Sequence, residues 1–568
     1  MSGFIFSLFL IALHTIGVGS IHVPFDQLEI TCLFLFLALS CLLFCLLEQK
    51  QKKEEILPDF AGSIWLALFF FWGMIGFFYS VRPEMSLQFF LKYITGIALL
   101  LFLHRTLKTL EQVRRLFWLL TSIAALQGVL SWIFQAYFPM VNVTINFVFI
   151  NSNFRGGYLL FPLFMAATLL LTEKDKTRKI TAWIMFVLIW AQLGFTNSRG
   201  ANIAAGVAMF LLVWALIKNE NKKNAGILAL GFGAGRLLFH LLFINFGSGQ
   251  EDSSFAEVSA ATSSFFFRQL FWDGALKIFS DYPFIGSGPW TFSLLFPYKI
   301  DFPLSSAIPP IVLPPPHAHS IYLQTLAGMG LIGLCLFLTA FFKFFKGLFP
   351  VYLKNQGPEA VFALGLMIGM AGFLTHGLVE TIWPSPYFIF TVTICFGAAQ
   401  VIITKGFPQK ANKDLKKTWT VFSIAIVLVG TGTLWTTFNY SQKFVAARSP
   451  EIPMEEKFQM TEEAGELCPF CDRPLTFRAY LYTHLYEKTH DPVFRDKAIH
   501  TLQQTREGVV PLPESILIRG MLFEVERDYV RAMNEYLRYY QVGNQPHLLR
   551  KAFDRIRMKK QKEASLNP

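Results

Sequence analysis

Apolar residues fill most of the first 437 positions in blocks of about 20, each closed by a short polar stretch. A helix rises about 1.5 Å per residue, so a block of roughly 20 crosses about 30 Å of hydrocarbon. Such blocks lie near residues 3–20, 29–47, 59–80, 86–103, 115–136, 156–172, 180–196, 200–217, 225–246, 319–342, 359–380, 385–404 and 418–437. This pattern predicts about thirteen transmembrane helices, with one long connection at about 247–318. After residue 437 the pattern changes. Apolar positions recur there at helical spacing among polar ones, predicting short amphipathic helices at Arg495–Arg506, Glu514–Val525 and Tyr529–Tyr540, with Pro and Gly between them. The chain thus divides into a membrane domain, 1–437, and a helical tail, 438–568, giving an all-α polytopic membrane protein with an appended domain.

Composition agrees. Of 568 residues, 53% are hydrophobic and only 15% charged, against about a quarter charged in soluble domains. Residues 438–568 hold 20 Lys and Arg against 18 Asp and Glu, so +10 of the net +12 belongs to the membrane domain. Basic residues there mark cytoplasmic loops rather than a nucleic-acid footprint. They fall in alternate connections: Lys50–Lys53, Arg105–Arg115, Lys174–Lys179, Lys218–Lys223, Lys343–Lys354 and Lys405–Lys417. The 247–318 loop carries six acids against three bases and faces outward. Thirteen spans starting inside finish outside, which places the N-terminus in the cytoplasm and the tail on the extracytoplasmic side. The first run lacks a basic start and an A-x-A site, so it reads as a retained helix rather than a cleaved signal.

Five of the seven cysteines lie in apolar runs; Cys468 and Cys471 form a CPFC in the polar tail, either a disulfide or a free pair. A zinc site would need a second ligand pair, and the sequence offers none nearby. The tail resembles helix-turn-helix repeats of the tetratricopeptide type without a clear 34-residue period; a small helical bundle is the alternative.

Polar groups kept at membrane depth are costly, so those at the outward ends of spans carry the chemical information. Three clusters stand out. Thr196-Asn197-Ser198-Arg199-Gly200 joins two spans with almost no loop, and holds Arg199 where its planar fork can grip a phosphate or snorkel to headgroups. Phe267-Arg268-Gln269-Leu270-Phe271-Trp272 is an aromatic amphipathic stretch suited to a helix on the membrane surface, followed by the turn Pro283 to Gly288; Arg268 is a second candidate anion ligand. Pro314-Pro315-Pro316-His317-Ala318-His319-Ser320 delivers two histidines to the start of a span, where one can act as a general base. Two His at i and i+2 can instead ligate a metal, but no Cys or acid at fitting spacing accompanies them. His376 and Glu380 share a helix face near the outer end of their span, placed to orient one another or a sugar hydroxyl. Gly231-Phe232-Gly233-Ala234-Gly235 lies inside an apolar span with no strand before it, so close helix packing accounts for it better than dinucleotide binding.

Together these residues resemble the O-antigen ligase and polymerase superfamily of bacterial envelope glycosyltransferases. Thr196 to Gly200 match the family's T-x-S-R-G hairpin. Arg268, Trp272 and Pro283 to Gly288 match its R…W…P-x-x-G-x-G loop. His319 to Gln324, with Gly330, Leu331, Ile332 and Gly333, match the run H-[NS]-x-Y-L-Q followed by G, two apolar residues and G. Two departures occur: Ala327-Gly328 stand where an acid often precedes the glycine turn, and the helical tail is foreign to the simplest ligases. The resemblance implies a GT-C-like enzyme of the bacterial inner membrane that uses no cofactor. Its donor would be a glycan on undecaprenyl diphosphate, and its acceptor a lipid A core or protein hydroxyl on the periplasmic face. Arg199 and Arg268 would bind the diphosphate, and His319 would take the acceptor proton; His317, His376 and Glu380 line the substrate. Paired arginines neutralise a diphosphate leaving group without a metal ion, and direct displacement inverts the anomeric carbon. Ligation, polymerisation of repeat units and protein O-glycosylation share this chemistry. A lipid or glycan transporter is the non-enzymatic alternative, but no repeated half is evident and the polar clusters gather at one face.

Overall fold

Long apolar blocks fold as helices in lipid because only a helix or a closed barrel satisfies every backbone N–H and C=O there. The computed structural model follows this rule over the residues it describes: 3, 5–7, 9–10, 26–49, 62–137, 152–218, 221–246, 254–300, 317–381, 383, 385–406, 413–505, 511–542 and 546–566. No strand occurs among them. Eleven of the helices are long and apolar enough to cross a membrane, and Ser63–Tyr79, of 17 residues, is a shorter apolar one. These twelve match twelve of the thirteen expected spans; the first, 3–20, lies largely outside the described residues. The spans form one all-α bundle. Pro83–Thr106, Ser152–Thr172 and Pro386–Gly406 run through its centre, while Lys222–Leu242 and Thr418–Ala447 lie on its rim with apolar side chains such as Leu230 and Leu428 exposed.

Gly231 and Gly235 serve packing. A Cβ on either would meet Phe186 or Trp190 of the Lys176–Phe195 helix at 2.9 and 2.8 Å.

Two departures from the expected boundaries shape the site. Ile321–Lys354 runs on to 34 residues but breaks internally at Gly330, whose φ of 66° is left-handed. The Pro283 to Gly288 turn docks into that break: Ser287 N–H donates to Ala327 O, Gly288 N–H to Gly328 O, and Leu331 N–H to Pro283 O, at 2.9 to 3.0 Å. Contact is close enough to demand glycine, since a Cβ on Gly330 would sit 2.3 Å from Phe284 O. The two glycine motifs are therefore halves of one joint. Pro358–His376 ends four residues before Glu380, which follows a turn at 377–379; its N–H still donates to His376 O at 3.1 Å.

The tail holds helices Met454–Leu467, Arg473–Thr489, Pro492–Gln503, Pro513–Val525, Tyr529–Val542 and Pro546–Leu566. Several open on proline, whose missing N–H costs nothing in a first turn. The tail docks on the bundle through a buried ion pair between Arg82 and Asp472 and through Phe470 against Phe77. Cys468 and Cys471 are joined as a disulfide just before Asp472.

Candidate active site

Each letter of the histidine motif has a structural task. Ser320 caps the Ile321–Lys354 helix by accepting from Leu323 N–H. Tyr322 donates to Leu374 O at 2.9 Å, and Ile321 N–H to Gly377 O at 2.8 Å, fastening this helix end to Pro358–His376. The side-chain oxygen of Gln324 accepts from Ala318 N–H at 2.9 Å and braces the His-Ala-His turn. His319 sits at φ 49°, a left-handed conformation uncommon for a residue with a Cβ and held here by the surrounding bonds. Its ring stacks on Phe271, and Trp272 donates from its indole to His319 O at 3.4 Å.

Glu380 is the centre of the cluster. Its side chain is 1% exposed, and His319 Nδ1 lies 3.0 and 3.2 Å from its two oxygens. His317 Nδ1 is 3.7 Å away, and an Arg268 nitrogen 3.9 Å. Burial alone would raise the Glu380 carboxyl, but His319, His317 and His376 hold it well below the usual carboxylate range. Because the carboxylate only accepts, the bond assigns the proton of neutral His319 to Nδ1 and leaves Nε2 as the free lone pair. His319 is also the partly exposed member of the pair, so that lone pair can be reached.

One tie to Glu380 comes from outside the three clusters. Asn153, in the first turn of Ser152–Thr172, donates from its amide to Glu380 at 2.6 Å and accepts from Ser198 Oγ at 2.8 Å. It links the acid to the Thr196 to Gly200 hairpin. Asn197 turns that hairpin at φ 52°, Thr196 Oγ1 bonds back to Leu193 O, and a Cβ on Gly200 would press within 3.1 Å of the His376 ring. Thr196-Asn197-Ser198-Arg199 and Ser152-Asn153-Phe154-Arg155 share the pattern Ser/Thr-Asn-x-Arg at the start of an apolar run, and this likeness is a signal that could have flagged Asn153.

The structure thus brings together Arg268, His317, His319, His376 and Glu380. Arg199 differs: its side chain is exposed at the start of Arg199–Lys218 and makes no hydrogen bond or ion pair among the described residues. His376 is buried with neither ring nitrogen hydrogen-bonded. The ligand atoms of His317, His319 and Glu380 lie within 4.8 Å of one another, so a divalent cation can be accommodated. Those atoms are already engaged, however: Asn153 and Thr381 N–H donate to Glu380, and His319 N–H to His317 Nδ1.

A buried carboxylate beside a reachable imidazole and an arginine, at the end of apolar helices long enough to cross a membrane, is an arrangement chemically able to take up a proton. Residues 184–338 match the family model described as O-antigen ligase, and the match supports the O-antigen ligase and polymerase superfamily over this segment. The matched segment includes Arg199, Arg268, His317 and His319; Asn153, His376 and Glu380 lie outside it. The chain matches no curated protein.

Proposed function

We propose that the protein transfers a glycan from undecaprenyl diphosphate to an acceptor hydroxyl on the periplasmic face of the inner membrane, as an O-antigen ligase acting on a lipid A core. The observation that carries this is the His319 to Glu380 pair at 3.0 Å with Arg268 at the same carboxylate. His319 Nε2 takes the proton of the acceptor hydroxyl, and the freed oxygen bonds to the anomeric carbon from the face opposite the diphosphate. The carbon–oxygen bond to the diphosphate breaks, and that group leaves with the electron pair. One displacement inverts the anomeric centre. Arg268 and Arg199 neutralise charge growing on the leaving group, so no metal is required. His376, with both ring nitrogens open, hydrogen-bonds a substrate hydroxyl. An oxidising compartment suits the Cys468–Cys471 disulfide and supports a periplasmic tail.

The test uses the purified full chain with an undecaprenyl-diphosphate glycan and three acceptors in chelator: lipid A core, a Ser/Thr protein and a second lipid-linked repeat. Product on the first identifies a ligase; product on either other identifies a protein glycosyltransferase or a polymerase. Arg268→Ala and His319→Ala are each expected to lower the rate by roughly 10² or more, and Arg199→Ala, at an exposed side chain, by about tenfold through KM. Undiminished transfer in all three would remove these residues from the reaction.

A further inference from the structure

Arg155 is a charged group that the reaction above leaves unused. It lies in the first turn of Ser152–Thr172, is 3% exposed, and its Nη1 has no hydrogen-bond partner. No carboxylate pairs with it among the described residues; its titratable neighbour is Tyr158, whose hydroxyl is committed to Gln127 Oε1 at 2.6 Å. A guanidinium withdrawn from water without a counter-charge is strongly disfavoured, and at membrane depth such a group marks a ligand site. No described residue supplies a counter-charge here, which points to an anion that arrives with a ligand.

Its position says which anion. The first four N–H groups of a helix have no acceptor within it, and the positive end of the helix dipole points the same way, so this turn favours negative charge independently of Arg155. Asn153, two residues earlier, bonds Glu380, and the Phe154 ring lies 6.2 Å from the His317 ring. An anion held at this turn is therefore next to the base. The planar fork of arginine suits two oxygens on one phosphorus.

We infer that Arg155 binds a phosphoryl group of the lipid diphosphate, as a further guanidinium beside Arg268. This rests on the donor proposed above. It makes Ser152–Thr172 bifunctional: Asn153 orients the acid of the base pair while Arg155 holds the leaving group. The same chemistry would also suit the phosphate of a bulk phospholipid, and the experiment separates the two.

The full chain is placed in nanodiscs of phosphatidylcholine, and its affinity for undecaprenyl diphosphate and undecaprenyl monophosphate is measured for wild type, Arg155→Gln and Arg155→Lys, with the thermal midpoint of each. Arg155→Gln is expected to weaken diphosphate binding roughly 10- to 100-fold, the range for a charge-assisted hydrogen bond, and monophosphate binding less. Arg155→Lys should recover part of the loss. Unchanged diphosphate affinity in Arg155→Gln, while wild type binds, overturns the inference and leaves the donor intact. Loss of co-purified phosphatidylglycerol in place of diphosphate affinity overturns it in favour of a headgroup. Wild type that binds no undecaprenyl diphosphate sinks the donor and this inference together. Should Arg155→Gln fail to fold, Arg155→Lys keeps the charge but not the fork, and full diphosphate affinity in that variant overturns the inference.

Discussion

Among the buried carboxylates, Glu380 in the membrane region and Glu524 in the tail are finished differently. Glu524 in the tail accepts a two-pronged bond from Arg555 at 2.8 Å on each oxygen, one from Lys559 at 2.9 Å and one from Tyr536 at 2.7 Å. Glu380 in the membrane region is as fully buried and engaged, but two of the groups around it, His319 and Arg268, remain partly exposed. Arg268 stands 3.9 Å off, and neither ring nitrogen of His376 beside them is hydrogen-bonded. A saturated carboxylate pins a helix. One whose donor imidazole can be reached leaves the second nitrogen of that ring for a substrate, and this arrangement suits chemistry.

The sharpest way to break this comparison is to make both acids neutral with the same substitution. Glu380→Gln should lower transfer by 10² or more, because the amide no longer demands the Nδ1 proton of His319 and the base loses its orientation. Glu524→Gln should leave the chemical step unchanged. Equal loss of transfer in both variants, measured at saturating donor and acceptor, would mean that the two carboxylates do the same job.

The arginines divide along the same line. Arg268→Ala is expected to cost about 10² in kcat, since Arg268 stands at the carboxylate of the base. Arg199 is exposed at the first position of its helix and meets the donor at its approach, so Arg199→Ala should act mainly on KM, by about tenfold. A larger kcat effect at Arg199 than at Arg268 would show that the hairpin swings inward once the donor is bound.

Asn153 gives a smaller and more specific effect. Asn153→Ala should slow transfer about tenfold, and Ser198→Ala should add little on that background because both act through one chain of bonds. Additive losses would show that Ser198 works independently of Glu380.

The legibility of these parts in the sequence follows from how local their causes are. Spans are written in runs of about 20 apolar residues, so twelve of the thirteen expected are matched by helices. Arg268, His317 and His319 were visible because their motifs are compact. The juxtaposition of His376 with Glu380 was visible through a four-residue spacing, although the helix ends before the acid and a turn completes it. For Asn153 the sequence offers only the Ser/Thr-Asn-x-Arg pattern it shares with the hairpin; its bonds were hidden, since its partners are 45 and 227 residues away. The exposure of Arg199 was equally hidden, because a side chain at a helix start takes its direction from the neighbours the fold brings in. The donors to Glu524 lie 12, 31 and 35 residues downstream, beyond any helical repeat.

The closed carboxylate yields the mildest prediction, through pH. Burial works to raise the Glu524 carboxyl, but Arg555, Lys559 and Tyr536 override it and bring it down to about 2 from an ordinary 4.5. A carboxyl whose value falls on folding contributes stability that is complete above its unfolded value and disappears as pH drops towards its folded one. Between about pH 4.5 and about pH 2, therefore, Pro546–Leu566 should progressively lose its hold on Pro513–Val525. Hydrogen exchange of the last helix, corrected for the intrinsic rate, should rise across this window in the wild type. In Glu524→Gln the helix should already exchange faster at neutral pH, by an amount corresponding to about 1–3 kcal/mol, and respond much less to acid. Glu380 lies in the other region and should not share this window, since loosening the last helix leaves His319 and its acid in place. Acid-induced exchange that begins around Gly377–Glu380 rather than in the last helix would reverse the order of the two carboxylates, and with it the distinction between the closed and the open site.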